Sequence, residues 1–194
     1  MTVARKEGNS MIFVYGNSHA AAFVNADAGC NGLIVTNGIK SYIKRPMSCK
    51  TFILNHWRTL MEFLAPFNKQ SDYILITAGE HDVRMEFYLD TMTEEVNEYV
   101  TGWFDILLKL KTNGYRVIGY SSHPSINIEH SVQWSDKMQE LCTKHGIPFL
   151  GIMDVVLTPD GQINNEYYQD AIHLGSKILP IIKAKLDLIT KESK

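Results

Sequence analysis

The sequence predicts an α/β domain in three layers, with helices on both sides of a mostly parallel five-stranded sheet. Three observations lead there. Five short runs, Ile12–Tyr15, Gly32–Thr36, Tyr73–Thr77, Val117–Tyr120 and Pro148–Ile152, are rich in the β-branched and aromatic residues of strands. Segments with apolar residues at helical spacing separate them, the alternation expected when parallel strands are joined by crossover helices. With 194 residues, 45% of them hydrophobic, the chain can also bury a sizeable core.

Residues 1–10 (MTVARKEGNS) read as a polar tail and residues 11–194 as a single domain. The first strand stops at Gly16-Asn17-Ser18-His19, before the helix-favouring Ala20-Ala21-Ala22-Phe23. The second ends at Asn37-Gly38, and Ser41 to Ser48, with Lys44, Arg45 and Pro46, reads as a loop. From Lys50 to Leu64 the residues Phe52, Ile53, Trp57, Leu60, Met61 and Leu64 recur at helical spacing, and Pro66 marks the end. The uninterrupted apolar run Tyr73–Thr77 suits a buried parallel strand and leads into Ala78-Gly79-Glu80-His81-Asp82. Thr93 caps a long helix with Glu94 and Glu95 in its first turn, Lys109 and Lys111 in its last and Asn113-Gly114 as the stop.

The fourth strand runs into Ser121-Ser122-His123-Pro124, where loop placement is the simplest role for Ser122 and His123. A helix from Glu129 to His145 ends at Gly146, the fifth strand follows, and Thr158-Pro159-Asp160-Gly161 is a turn. The last helix covers Ser176 to Ile189, with Pro180 delaying its start or bending it. Trp57, Trp103 and Trp134 lie among apolar neighbours at helical spacing, which favours core over a carbohydrate platform.

Composition narrows the function. Nineteen basic residues stand against 21 acidic ones, a formal net charge of −2, which gives no basic surface for nucleic acid or an anionic membrane. No apolar run of about 18 residues exists to form a transmembrane helix. The first ten residues lack the apolar core of a signal peptide, and Cys30, Cys49 and Cys142 show neither CxxC pairing nor zinc spacing. A cytoplasmic, reducing location is expected. Oligomeric state leaves no trace in the sequence.

Candidate chemistry gathers on the strand ends. In a parallel sheet the ends of successive strands open on one edge, so Ser18, Gly38, the segment Gly79–Asp82 and His123 are expected to converge. Ser18 follows a strand and begins a helix, whose unpaired N–H groups and positive partial charge favour a group that develops negative charge. It is a candidate nucleophile; the other role open to it is an N-cap. An acyl-transferring serine needs a base, a partner that holds the base in the right tautomer, and oxyanion donors. Asp170-Ala171-Ile172-His173 offers the first two, His173 as base and Asp170 as its partner. The bland alternative makes Asp170 a helix cap and His173 an ordinary loop residue. His19 is either a substrate-facing side chain or a first-turn residue. Arg84 is either a clamp for a substrate carboxylate or phosphate, or a brace to Glu80 or Asp82.

The order of these pieces resembles the SGNH hydrolase superfamily, the GDSL-like esterases and lipases, from Ile12 to the last helix. Gly16-Asn17-Ser18 matches the first block, Gly79-Glu80-His81-Asp82 the third, and Asp170 with His173 the last. GNSHA together with GEHDVR is most similar to a subgroup reading GDSH and GEIDxR. The resemblance implies a flavodoxin-like sheet and a Ser18–His173–Asp170 esterase that acts on a small-molecule or glycan acyl ester and needs no metal or other cofactor. It implies Gly38 as the second-block glycine, whose N–H joins that of Ser18 in the oxyanion hole, and aligns His81 and Asp82 with the third block; His81, Asp82, His19 and Arg84 are the candidates to contact substrate or oxyanion. Two positions depart from the family. Asn17 stands where an Asp is usual, and His81 where an Asn donates its amide to the oxyanion; a neutral imidazole has one N–H to offer instead.

Two other classes compete. A binding protein of the same fold without turnover is one, since fold does not fix function. The other is a metal-dependent hydrolase using His19, Glu80, His81, Asp82, Asp170 and His173, because GEHD is similar to the Gly-Asn-His-Asp segment of metallophosphoesterases. The Asp-x-His expected after the first strand of such enzymes is missing.

Overall fold

The computed structural model describes residues 10–26, 29–36, 38–43, 52–77, 79, 82, 93–124 and 127–192. The apolar runs named above become the strands of one six-stranded sheet. The central strand β1 (Ile12–Gly16) is flanked in parallel by β3 (Ile39–Ile43) and β4 (Tyr73–Thr77). Next to β4 come β5 (Arg116–Tyr120) and then the two-residue β6 (Phe149–Leu150), both parallel. Beyond β3 the edge is closed by β2 (Gly32–Thr36), which runs antiparallel, giving the order β2-β3-β1-β4-β5-β6. The five parallel strands alone have the flavodoxin-like order, with the reversal of direction at β1.

Both faces of the sheet are covered, which is why β1 and β4 are buried at every position and almost wholly apolar. Phe13, Tyr15, Ile74, Ile76 and Val117 face one layer, built from α1 (Trp57–Phe63), α2 (Thr93–Thr112) and α3 (Ile128–Lys144). Val14, Leu75, Ile118 and Tyr120 face the other. That second layer holds a 3-10 helix (Ser18–Val24), the short α4 (Met153–Val156) and α5 (Leu179–Glu192). Each large side chain buried this way contributes about 1.5–3 kcal/mol.

Trp103 and Trp134 are core residues, as their spacing indicates, while the half-buried Trp57 carries Lys109 over its ring at 4.3 Å. Among the described residues no helix is long and apolar enough to cross a membrane.

The structure corrects several expectations. The sheet has six strands, and the unforeseen one is β3, in a stretch that reads as loop. Its pattern is half polar: Ile39, Ser41 and Ile43 are buried, whereas Lys40 and Tyr42 are only partly so. The buried Ser41 hydroxyl is satisfied by donating to Ala20 O at 3.1 Å, and Lys40 lies over the rings of Phe13 and Phe63. A polar strand of this kind lacks the apolar run by which the others announce themselves.

The helix expected over Lys50 to Leu64 is a π-turn (Phe52–His56) followed by α1. The last helix opens as a 3-10 turn (Ser176–Ile178) and becomes α-helical at Leu179, so Pro180 falls in the first turn, where its missing N–H is not needed.

The end of β1 is unusually close to β4. A Cβ on Gly16 would lie 1.7 Å from Thr77 Oγ1 and 2.8 Å from Thr77 O, the second a backbone atom that cannot rotate away. Gly16→Ala is therefore expected to lower stability by about 1–3 kcal/mol, read as a reduced urea midpoint at unchanged m-value.

Candidate active site

Strand β1 delivers Asn17 and Ser18 to the carboxyl edge of the sheet, at the point where the strand order reverses. Asn17, in an extended conformation, caps the following 3-10 helix by accepting the His19 N–H on its side-chain oxygen at 3.1 Å. A carboxylate at this position would accept the same bond, so the replacement of Asp by Asn keeps the turn. With Asn17 as the cap, Ser18 is left as the first helical residue, half-buried, its backbone N–H at a position that has no intrahelical acceptor. The helix is seven residues of 3-10 geometry, so the dipole expected from sequence contributes little.

The opposite wall is a tight hairpin from the far end of the chain. Gln169 N–H donates to His173 O at 2.9 Å and Gly175 N–H to Tyr167 O at 2.7 Å, and Tyr168 bridges to Leu174. Asp170 sits in the bend. Its Oδ1 accepts the backbone N–H groups of Ile172 at 2.9 Å and His173 at 2.7 Å, and the His173 ring nitrogen Nδ1 lies 2.8 Å from its Oδ2. Burial acts to raise the Asp170 pKa, but the hydrogen bonds from Ile172 and His173 outweigh it and hold the carboxyl below its usual range. An ionised carboxylate only accepts, so Nδ1 carries the ring proton and Nε2 is left with its lone pair. That nitrogen is 3.0 Å from Ser18 Oγ, so the Ser18 hydroxyl donates to it across 155 residues of sequence.

The other expected site residues fare differently. Gly38 is not at this edge. It lies in the β2–β3 turn, with φ +83°, and its carbonyl accepts the N–H of Ile12 at the start of β1, the far end of the sheet from Ser18. The error follows from strand direction: β2 is antiparallel, so its carboxyl end opens on the wrong side. It is β3 that ends on Ser18's side, and it leads into residues 44–51, outside the described residues. His19 is the first-turn residue of the two alternatives, 4% exposed, its ring centroid 4.2 Å from that of His123 and 5.1 Å from that of His173.

Asp82 is also buried. Its Oδ2 accepts the indole N–H of Trp103 at 2.7 Å, a contact with the core where one with substrate was expected. Trp134 presses on the segment after β4: a Cβ on Gly79, at φ +100°, would meet its ring at 2.2 Å. Trp103→Phe removes a hydrogen bond to a buried carboxylate and is expected to cost about 1.5–3 kcal/mol of stability, measurable by urea unfolding. Glu80, His81 and Arg84 lie outside the described residues.

Of the six residues considered as metal ligands, His19, Asp82, Asp170 and His173 are described, and no cluster of three or more ligand-type side chains suited to a metal forms among the described residues. Cys142 is no rival nucleophile, since burial pushes its thiol up to about 12. His123, expected on this edge and given only a loop role, does lie here: it is 1% exposed, and its Nε2 is 3.1 Å from Ile172 O in the Asp170–His173 hairpin.

This sheet, with its strand order reversing at β1 and helices on both faces, has the layered α/β fold expected from the sequence. Comparison with solved structures bears this out at the level of fold. A GDSL-like lipase from Bacteroides thetaiotaomicron superposes with a TM-score of 0.73 at 14% identity, covering 100% of this chain and 93% of that one. An acetylxylan esterase from Geobacillus stearothermophilus gives 0.60 at 12% identity, over 96% of both chains. The psychrotrophic esterase EstA from a Pseudoalteromonas species gives 0.60 at 13% identity, over 95% of this chain and 98% of that one. No protein-family model matches the sequence, and no curated protein matches it.

Proposed function

We propose that this protein is a serine hydrolase of acyl esters, with Ser18 as nucleophile, His173 as general base and acid, and Asp170 as the partner that holds His173 in the reactive tautomer. The observation that carries this reading is the unbroken line from Asp170 through His173 to Ser18, at 2.8 and 3.0 Å. The second length suits proton transfer and the first a bond that orients the imidazole, and N-capping or loop closure alone would require no contact between Ser18 and His173.

The reaction follows from the geometry. Ser18 Oγ attacks the ester carbonyl as its proton passes to His173 Nε2. The resulting oxyanion is held by the Ser18 backbone N–H, which has no helical acceptor. His173 then returns the proton to the departing alkoxide, leaving an acyl group on Ser18. A water molecule, deprotonated by the same Nε2, attacks the acyl carbonyl; the carboxylic acid leaves and Ser18 regains its hydrogen. Throughout, Asp170 stays ionised and steadies the imidazolium.

Esters with a small acyl group, O-acetylated glycans among them, are the proposed substrates. One of the neighbouring folds is an acetylxylan esterase, of which a catalytic mutant replaces a serine by alanine, and another is described as inhibited by monoethylphosphonate. The test is covalent. A fluorophosphonate should add once to the native protein, with the adduct mapped by peptide mass spectrometry to Ser18. Labelling elsewhere, or none together with no hydrolysis of short acyl esters by folded protein, would leave a binding protein of this fold.

A further inference from the structure

The four residues after β5, Ser121 to Pro124, carry no role in the scheme above, yet all are buried, and two of them, His123 and Pro124, meet the catalytic hairpin. Two hydrogen bonds join them. Tyr168 OH donates to Pro124 O at 2.5 Å, and His123 Nε2 lies 3.1 Å from Ile172 O. A carbonyl can only accept, so His123 carries its proton on Nε2 and donates.

The carbonyl it grips belongs to the peptide unit whose N–H, that of His173, donates to Asp170 Oδ1 at 2.7 Å. The same carboxylate then receives His173 Nδ1 on its other oxygen. The run is therefore His123 Nε2–H to Ile172 O, His173 N–H to Asp170 Oδ1, and His173 Nδ1–H to Asp170 Oδ2. A donor on the carbonyl polarises the peptide and strengthens the bond its N–H makes. The His123 ring also stands edge-on to the His19 ring at 74°, and His19 in turn flanks the His173 ring.

Resting on the hydrolase reading, we propose that His123 is a positioning residue for it. Its hydrogen bond to the Ile172–His173 peptide sets the rotation of that peptide, and with it the alignment of the Asp170 carboxylate on His173 Nδ1. Asp170 needs such a brace because its side chain is 50% exposed, and water competes for the oxygens that must face His173.

The experiment compares His123→Phe and His123→Leu, which lack the donor, with His123→Gln, which keeps an N–H. For a short acyl ester, the first two are expected to lose on the order of 10–100-fold in kcat, as for a small misplacement of a catalytic group. KM should stay within about twofold, since substrate binding is not what changes. The Gln variant should recover most of the loss.

A second reading needs no turnover: the downfield proton resonance of His173 Nδ1–H, present in the wild-type protein at neutral pH, should be absent or broadened in the Phe and Leu variants and retained in the Gln variant. Unchanged kcat and an unchanged resonance in folded Phe or Leu variants would overturn the positioning role. So would failure of all three variants to fold, which would assign His123 to the core alone. A wild-type protein that neither hydrolyses esters nor takes the probe at Ser18 would overturn the hydrolase reading instead, and the resonance would still decide the role of His123.

Discussion

Ser18→Ala is expected to reduce kcat on a short acyl ester by about 10⁴–10⁶-fold and to abolish fluorophosphonate labelling, with the fold intact. The size of the effect reflects what the hydroxyl does. Without it no acyl intermediate can form, and His173 Nε2 loses the donor that lies 3.0 Å away. What remains is direct attack by water in a site that still offers the Ser18 backbone N–H to the oxyanion. The cost in stability should be small, about 0.5–1.5 kcal/mol for one neutral hydrogen bond, so circular dichroism and urea unfolding will separate lost chemistry from lost fold. Activity that survives this substitution and disappears with a chelator would instead favour metal-dependent hydrolysis.

Asp170→Asn should have the next largest effect, a loss of roughly 10⁴-fold in kcat. An amide oxygen can still accept the N–H groups of Ile172 and His173, so the hairpin should close as before. The amide nitrogen, however, would face His173 Nδ1, and two donors cannot share that contact. The ring would then carry its proton on Nε2, and Ser18 would face a donor where it needs a base. Asp170→Ala should be as slow but less stable, because those backbone N–H groups lose their acceptor.

The same carboxylate makes a pH-dependent contribution to stability whose sign is fixed. Its folded-state pKa is depressed, so the contribution is present above the unfolded pKa and is lost as pH falls through the lower folded value. The difference in urea midpoint between wild type and Asp170→Ala should accordingly be constant near neutrality and shrink below about pH 4.

How much could be read from residues alone varied from element to element. Strands β1, β4 and β5 are legible because both their faces are buried and apolarity is continuous. The long α2 is legible from its periodicity and its Asn113-Gly114 stop. Strand β3 is not: its buried Ser41 depends on a carbonyl of the first 3-10 helix, and Lys40 on aromatic rings of other elements, none of which a local window contains. That omission caused the error at Gly38, since only the β2–β3 pairing reveals that β2 runs backwards. Ser18, Asp170 and His173 were legible as residue types at strand and helix boundaries. Asp82 was not, because a carboxylate held by a core indole looks in sequence like any acidic loop residue.

By itself, then, the sequence determined the layered α/β class and which hydroxyl, imidazole and carboxylate stand where chain turns leave the sheet. Those are consequences of local pattern: burial on two faces demands apolar runs, and tight turns demand Gly, Asn, Asp and Ser. Only the tertiary structure decided which strand ends share an edge, and that Ser18 and His173 meet. It also disclosed that His123 grips the peptide beside them. Contacts of that kind depend on strand direction and on order across the sheet, which follow from the packing of the whole core and are encoded in no single stretch of the chain.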